Sequence, residues 1–251
     1  FDVTMGAVLK IWHTYREEGI ALNNEGQLGK VPPLEELTNA KACTGWDKVE
    51  IDENAGTVYL NQSCASLDVG GIAKGFAAGK VQQHLIEAGL VHGTVDAGGN
   101  ICTINDKPGG QQWRVGIRNP SGNGSLAVVA LPGSAAFVSS GDYERFYGAE
   151  DGKLYHHIID PQTLFPATYY HQVTIVTGNS GYADALSTAL FTMSYEDGLA
   201  LIERFRQTYP DQPIEVMWVM DPDQVPAGAD SVMSGEYAVV MTDSMKDYLA
   251  Q

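Results

Sequence analysis

Asp68-Val69-Gly70-Gly71-Ile72-Ala73-Lys74-Gly75 breaks a strand-like run with two glycines and leads straight into a helical pattern. Over residues 74–88 (KGFAAGKVQQHLIEA), Phe76, Ala77, Val81, Leu85 and Ile86 fall on one helical face, and Gly89 stands where a helix stops. A glycine turn that opens a helix lets backbone N–H groups approach an anion closely, and the helix dipole favours negative charge there. Lys74 adds a positive charge where a phosphate would sit. Neither the GxxxxGK[ST] nor the GxGxxG spacing is present, so the alternative reading is a tight strand–helix turn with a solvated lysine.

Working outward, residues 93–96 (GTVD) form a strand ending in Ala97-Gly98-Gly99-Asn100, with a second strand at 101–104. Upstream, 48–52 and 57–61 make a hairpin through Asn54-Ala55-Gly56. The chain opens on a helix with Met5, Val8, Leu9, Trp12 and Tyr15 at helical spacing. A short helix follows, with Pro33 near its first turn and Leu34, Leu37 and Ala40 along it. Downstream, 113–117, 126–131, 135–139 and 173–177 read as strands between Gly, Pro and Asn turns. A helix begins after Ser180-Gly181. It breaks at Met193-Ser194, where Ser194 and Asp197 resemble a capping box that starts the next helix. Strands at 214–220 and 236–242 close the chain, and 221–235 reads as a loop. Strands outnumber helices and neighbour one another, which predicts an α+β fold with mixed or antiparallel sheets and packed helices.

The 251 residues suit one large domain or two small ones. With 31 acidic against 15 basic residues the net charge is −16, a surface that repels nucleic acid and anionic membrane. A phosphate ligand therefore needs a local site, helped by a divalent cation. No apolar run reaches the roughly 18 residues that a membrane span requires. Cys43, Cys64 and Cys102 are odd in number and widely spaced, so small buried hydrophobes are expected rather than a zinc site or a disulfide framework.

Four constellations carry possible chemistry. Asp184 and Thr188 lie four residues apart in ADALSTALF (183–191), stacking a carboxylate and a hydroxyl on one helical face, while Leu186, Leu190 and Met193 with Ala189 form the opposite, apolar stripe. That pair of hard oxygens suits Mg²⁺ completed by substrate phosphate; the alternative is a helix-terminal aspartate and a threonine bonded to the preceding turn. His156-His157-Ile158-Ile159-Asp160-Pro161 places histidines before a rigid corner, as a general base or as strand residues. Ser139-Ser140-Gly141-Asp142-Tyr143-Glu144-Arg145-Phe146 gathers hydroxyls, backbone donors and charges, or is a β-turn followed by an edge strand. Asp96-Ala97-Gly98-Gly99-Asn100 is a ligand-approaching turn or simply a turn. His13, His84, His92 and His171 have no comparable setting.

Taken together and in order, FDVTMGAVLKIW (1–12), DVGGIAKGFAAG (68–79), VDAGGN (95–100), SSGDYERFY (139–147), HHIIDP (156–161) and DALSTALF (184–191) resemble the FAD:protein FMN transferases, once called thiamine biosynthesis lipoproteins. The resemblance covers nearly the whole chain. It implies one flavin-transferase domain over 1–251, built of two α/β subdomains with the site in a cleft between them. The implied activity is Mg²⁺-dependent transfer of FMN from FAD to a threonine or serine hydroxyl of an acceptor protein, releasing AMP. By the family pattern Asp184 and Thr188 are side-chain metal ligands and the carbonyl of Ala73 is a third, while His157 is the catalytic histidine. Lys74, Gly70, Gly71 and Gly75 would lie along the flavin nucleotide, with Asp68, Asp96, Ser140, Gly141 and Asp142 lining the same cleft. An extracytoplasmic, membrane-associated location follows from the resemblance alone.

Three departures stand out. The family's N-terminal segment, with its flavin-contacting Met-Gly-Thr, is absent from the sequence. The usual Arg-Thr-Gly after Asp-Pro is Gln162-Thr163-Leu164, and no lipobox is visible. A metal-dependent FAD pyrophosphatase and a non-catalytic flavin-binding protein are the alternative readings.

Overall fold

The computed structural model describes residues 1–122 and 124–250. In chain order the elements are α1 (Gly6–Asn24), α2 (Leu34–Lys41), β1 (Val49–Asp52), β2 (Thr57–Leu60), α3 (Ala73–Glu87), β3 (Gly93–Asp96) and β4 (Ile101–Ile104). Then come β5 (Val115–Arg118), β6 (Ser125–Val129), β7 (Ala136–Gly141), β8 (Phe146–Gly148), β9 (Leu154–His156) and β10 (Gln172–Thr177). The chain continues with α4 (Ser180–Phe191), α5 (Tyr195–Thr208), β11 (Ile214–Met220), β12 (Ser231–Ser234) and β13 (Tyr237–Met241). They form an α+β protein of two compact units. One comprises Phe1–Val69 with Glu144–Pro166, the other Gly70–Tyr143 with Ala167–Gln251.

The first unit is built around α1. Val8, Trp12, Leu37, Tyr147, Tyr155, Ile159 and Leu164 make its core. The Trp12 ring packs on Tyr155 and Phe165, and its indole N–H donates to the Leu164 carbonyl at 2.8 Å. Gly19 is required where α1 crosses Tyr147, because a Cβ there would lie 2.3 Å from the ring. The β1–β2 hairpin pairs Val49 with Leu60 through Asp52 with Thr57. Strands β8 and β9, three residues each, were too short for periodicity to reveal.

Cys43 and Cys64 form a disulfide, with Cα atoms 5.6 Å apart, and only Cys102 is a buried free thiol. This corrects the expectation of three buried hydrophobes. The pairing closes the hairpin-bearing loop between α2 and residue 64, and two cysteines 21 residues apart carry no local signature of it. Loop closure of this size is worth about 3 kcal/mol through the unfolded state. A Cys43→Ser/Cys64→Ser variant is expected to lose about that much in urea unfolding, and dithiothreitol should bring the wild type to the same curve.

The second unit is organised by a seven-stranded sheet in the order β12-β13-β11-β10-β7-β4-β3, antiparallel at each pairing. Every residue of β10 and β11 is buried, as expected of central strands covered on both faces. Phe137, Val176, Met217, Val219 and Val239 pack against Val115, Ile117 and Val129 of the β5–β6 hairpin and against Met245. Ser194 is the N-cap of α5, its Oγ accepting the Asp197 N–H at 3.1 Å and donating to Asp197 Oδ2 at 2.9 Å, so half of the expected capping box is formed. The 221–235 segment, read as a loop, contains β12.

Two helical faces differ from the pattern. In α3 the large apolar residues point outward, Phe76 being 58% and Val81 47% exposed, while Gly75 and Ala78 are buried. Close contact with α4 is the cause: a Cβ on Gly75 would sit 2.2 Å from the Ser180 carbonyl oxygen and 2.6 Å from Asp184 Cβ. Only glycine fits that seam. Helix α4 is itself buried on more than one face, so Asp184 and Ser187 are as buried as Leu190, whereas Leu186, Ala189 and Met193 of the expected stripe are half-buried. Gly75→Ala is expected to destabilise the protein by about 1–3 kcal/mol, read as a lower urea midpoint. An unshifted midpoint would mean that the two helices separate freely.

Candidate functional site

In the second unit the start of α3 meets α4 edge-on. The Gly75 N–H, one of the first-turn donors that an isolated helix leaves unsatisfied, donates to Asp184 Oδ2 at 2.8 Å. Asp184 therefore caps α3 rather than its own helix, whose N-cap is Asn179. Its side chain lies in a residue only 4% exposed, and no basic side chain pairs with it among the described residues. A buried carboxylate with one backbone donor and no counter-charge is costly unless a cation joins it.

Hydroxyls stand next to it. Ser140 Oγ lies 2.8 Å from Ser187 Oγ and 3.3 Å from Thr188 Oγ1, and Ser187 donates back to the Asp184 carbonyl at 2.9 Å. Ser140 and Gly141 belong to the central strand β7, not to a turn, because β7 pairs with β10 through Gln172–Gly141. The strand aims Ser140 at α4. Among the described residues no three His, Cys, Asp or Glu side chains gather as a metal cluster, so a cation here would rest on one carboxylate with hydroxyl and carbonyl oxygens. That donor set fits Mg²⁺ completed by phosphate better than a protein-only cage.

At the mouth of α3, Lys74 Nζ donates to Asn100 Oδ1 at 3.0 Å. Asn100 is 1% exposed and holds the lysine from the start of β4. Asp96 is committed locally: its carboxylate accepts the Gly99 N–H at 2.8 Å within a turn where Gly98 and Gly99 take φ of 64° and 91°. Gly70 and Gly71 precede α3, and Ala73 is its first residue. Gly75 is buried in the seam, so its role is packing and donation to Asp184.

His157, Asp68 and Asp160 lie in the first unit. Asp68 donates its N–H to the Val3 carbonyl at 2.8 Å. His156 is the last residue of β9, and its Nδ1 accepts the Ile158 N–H at 3.2 Å, which ties that ring to the backbone. His157 is half-buried, with Nδ1 fully buried.

Residues 1–210 match the ApbE family. The chain belongs to it. Among similar curated proteins are the FAD:protein FMN transferase of Treponema pallidum, 38% identical over 222 residues, and that of Haemophilus influenzae, 32% identical over 208. These alignments cover 82% and 81% of this chain but 58% of each relative, so the chain spans under two-thirds of their length. The crystal structure of the ApbE protein of Thermotoga maritima superposes with a TM-score of 0.77 at 30% identity, covering all of this chain and 72% of that one.

For an ApbE-family chain the changed loop at 162–164 is informative. Leu164 takes φ of 66°, a left-handed conformation that favours glycine, at the position where the sequence resemblance leads one to expect a glycine. Burial offsets the strain, since Leu164 is 4% exposed and its carbonyl receives the Trp12 indole. Asp160 holds the turn, its Oδ1 accepting the Gln162 N–H at 2.8 Å and its carbonyl the Leu164 N–H at 2.8 Å. Ser187 and Asn100, inside motifs already quoted, went unrecognised because their partners are distant in sequence. His171 was also passed over. Its neighbours Asp142 and Asp221 are 29 and 50 residues away.

Proposed function

We propose that this ApbE chain carries the catalytic region of a FAD:protein FMN transferase. It binds FAD with Mg²⁺ and passes FMN to a threonine or serine hydroxyl of an acceptor protein, releasing AMP. The observation that carries this reading is Asp184, buried without a cationic partner among the described residues and beside the Ser140–Ser187–Thr188 hydroxyls. In a chain of net charge −16, a doubly anionic pyrophosphate needs such a local cation site.

Asp184 and Thr188, with the Ala73 carbonyl, would hold the cation. When bound, Mg²⁺ supplies charge neutralisation for the phosphate oxygens. The Gly75 N–H donates to Asp184 Oδ2, which commits that oxygen to the helix, and Oδ1 would be the one to reach the cation. Asn100 holds the Lys74 ammonium in place, where it would meet a phosphate or flavin oxygen. His157 takes the proton of the incoming hydroxyl. Burial of its Nδ1 leaves Nε2 as the nitrogen for that transfer.

The Cys43–Cys64 disulfide supports an extracytoplasmic location, because such bonds persist where thiols are not kept reduced. No helix among the described residues is long and apolar enough to cross a membrane. The direct test is mass spectrometry of a threonine-bearing acceptor domain incubated with the chain, FAD and Mg²⁺. The expected product is one FMN on a hydroxyl; an unmodified acceptor under conditions where FAD binds would overturn the proposal.

A further inference from the structure

His171 sits one residue before β10, directly across from Asp142, which lies one residue past β7. The ladder continues between them, the Asp142 N–H donating to the His171 carbonyl at 3.1 Å, while the His171 N–H donates to the Val219 carbonyl of β11 at 2.8 Å. The ring is held at both nitrogens. Nδ1 lies 2.7 Å from Asp142 Oδ2, and Nε2 lies 3.3 Å from Asp221 Oδ1, just past β11. Tyr237, the first residue of β13, packs its ring 5.0 Å from the imidazole.

A neutral imidazole has one donor nitrogen and one acceptor nitrogen, and an ionised carboxylate can only accept. Both contacts are satisfied together only when both nitrogens carry hydrogen. Two carboxylates on opposite ring edges also cannot converge on one metal ion with that ring, consistent with the lack of a His/Asp metal cluster among the described residues.

We propose that His171, as an imidazolium clamped between Asp142 and Asp221, is a positioning residue that fixes the Ser140–Asp142 end of β7 in the FAD site and releases it as pH rises. The inference rests on the flavin-transferase reading. The charged and titratable groups facing the ring are Asp142 from the end of β7, Asp221 from the end of β11 and the Tyr237 phenol from β13. Glu236 bears on the phenol. The Asp142 hydrogen bond raises the His171 pKa above its ordinary value against the opposing effect of burial, and Asp221 adds to the rise. The clamp therefore contributes its full stability below the unfolded histidine value of about 6.5, and that contribution is lost as pH climbs through the higher folded value.

The test has three arms on the full chain: NMR titration of the His171 ring, urea unfolding from pH 6 to 9, and FAD affinity by flavin fluorescence over the same range. The wild-type ring should titrate above about 6.5, and both unfolding midpoint and FAD affinity should fall across that transition, affinity by about tenfold. In His171→Gln both profiles should be flat in that window, and Asp221→Asn should move the wild-type transition to lower pH. A ring that titrates at or below the ordinary value, or a His171→Gln profile that overlays the wild type, overturns the clamp. A pH-dependent midpoint with pH-independent FAD affinity makes the clamp purely structural and overturns the positioning role. Loss of the flavin-site reading itself would show differently, as unchanged FAD binding in Lys74→Ala.

Discussion

Asp184→Asn is expected to cut metal-dependent FMN transfer by about 10²–10³-fold, the usual cost of removing one preorganised electrostatic contact at a reacting phosphate. Asparagine keeps the volume, and its amide oxygen still accepts the Gly75 N–H, so the α3–α4 seam should survive. What it removes is the negative charge left uncompensated in a residue that is 4% exposed. Removing a buried charge that has no protein counter-ion relieves a desolvation cost in the metal-free protein. The variant should therefore unfold at an equal or higher urea concentration than the wild type in EDTA, yet gain less than the wild type when Mg²⁺ is added, since only the folded wild type offers the complete site. Wild-type transfer in Asp184→Asn would reduce the residue to a cap for α3.

His157→Ala is the second large effect. A general base contributes about 10²–10⁴-fold, and turnover should drop by that amount. FAD affinity should change little, because the lost interaction belongs to the incoming hydroxyl and not to the bound nucleotide. Steady-state kinetics with FAD and acceptor varied separately, together with flavin fluorescence titration, read the two effects apart. His156→Ala is the control. That ring is tied to the Ile158 N–H, so its loss should lower stability before it lowers turnover. If the two variants exchange these phenotypes, the assignment of the base is wrong.

The sequence made much of this legible, for identifiable reasons. Strands β10 and β11 announced themselves as apolar runs, and the break between α4 and α5 was written in Ser194 and Asp197, because both signals are local. The Asp184/Thr188 spacing also survived folding. Long-range geometry did not show. The family resemblance put Gly75 along the flavin nucleotide, but its lack of a Cβ is used against Ser180. Phe76 and Val81 outlined an apolar face that the helix turns away from α4, since close packing through Gly75 and Ala78 fixes its rotation. The Cys43–Cys64 pair and the Asp142–His171–Asp221 clasp were invisible because each joins residues more than 20 positions apart. At Leu164, where the resemblance led to the expectation of a glycine, the turn is left-handed all the same and the leucine side chain is buried.

In the proposed transfer, AMP departs because an acceptor hydroxyl arrives. The measurement that bears on it most directly is AMP release from FAD and Mg²⁺ with and without a threonine-bearing acceptor domain, followed by in-gel flavin fluorescence. AMP is expected only when acceptor is present, in a one-to-one ratio with a fluorescent acceptor band that survives denaturation. AMP released equally without acceptor would mark a pyrophosphatase, and bound FAD with no AMP in either arm would mark a flavin-binding protein; each result contradicts the account.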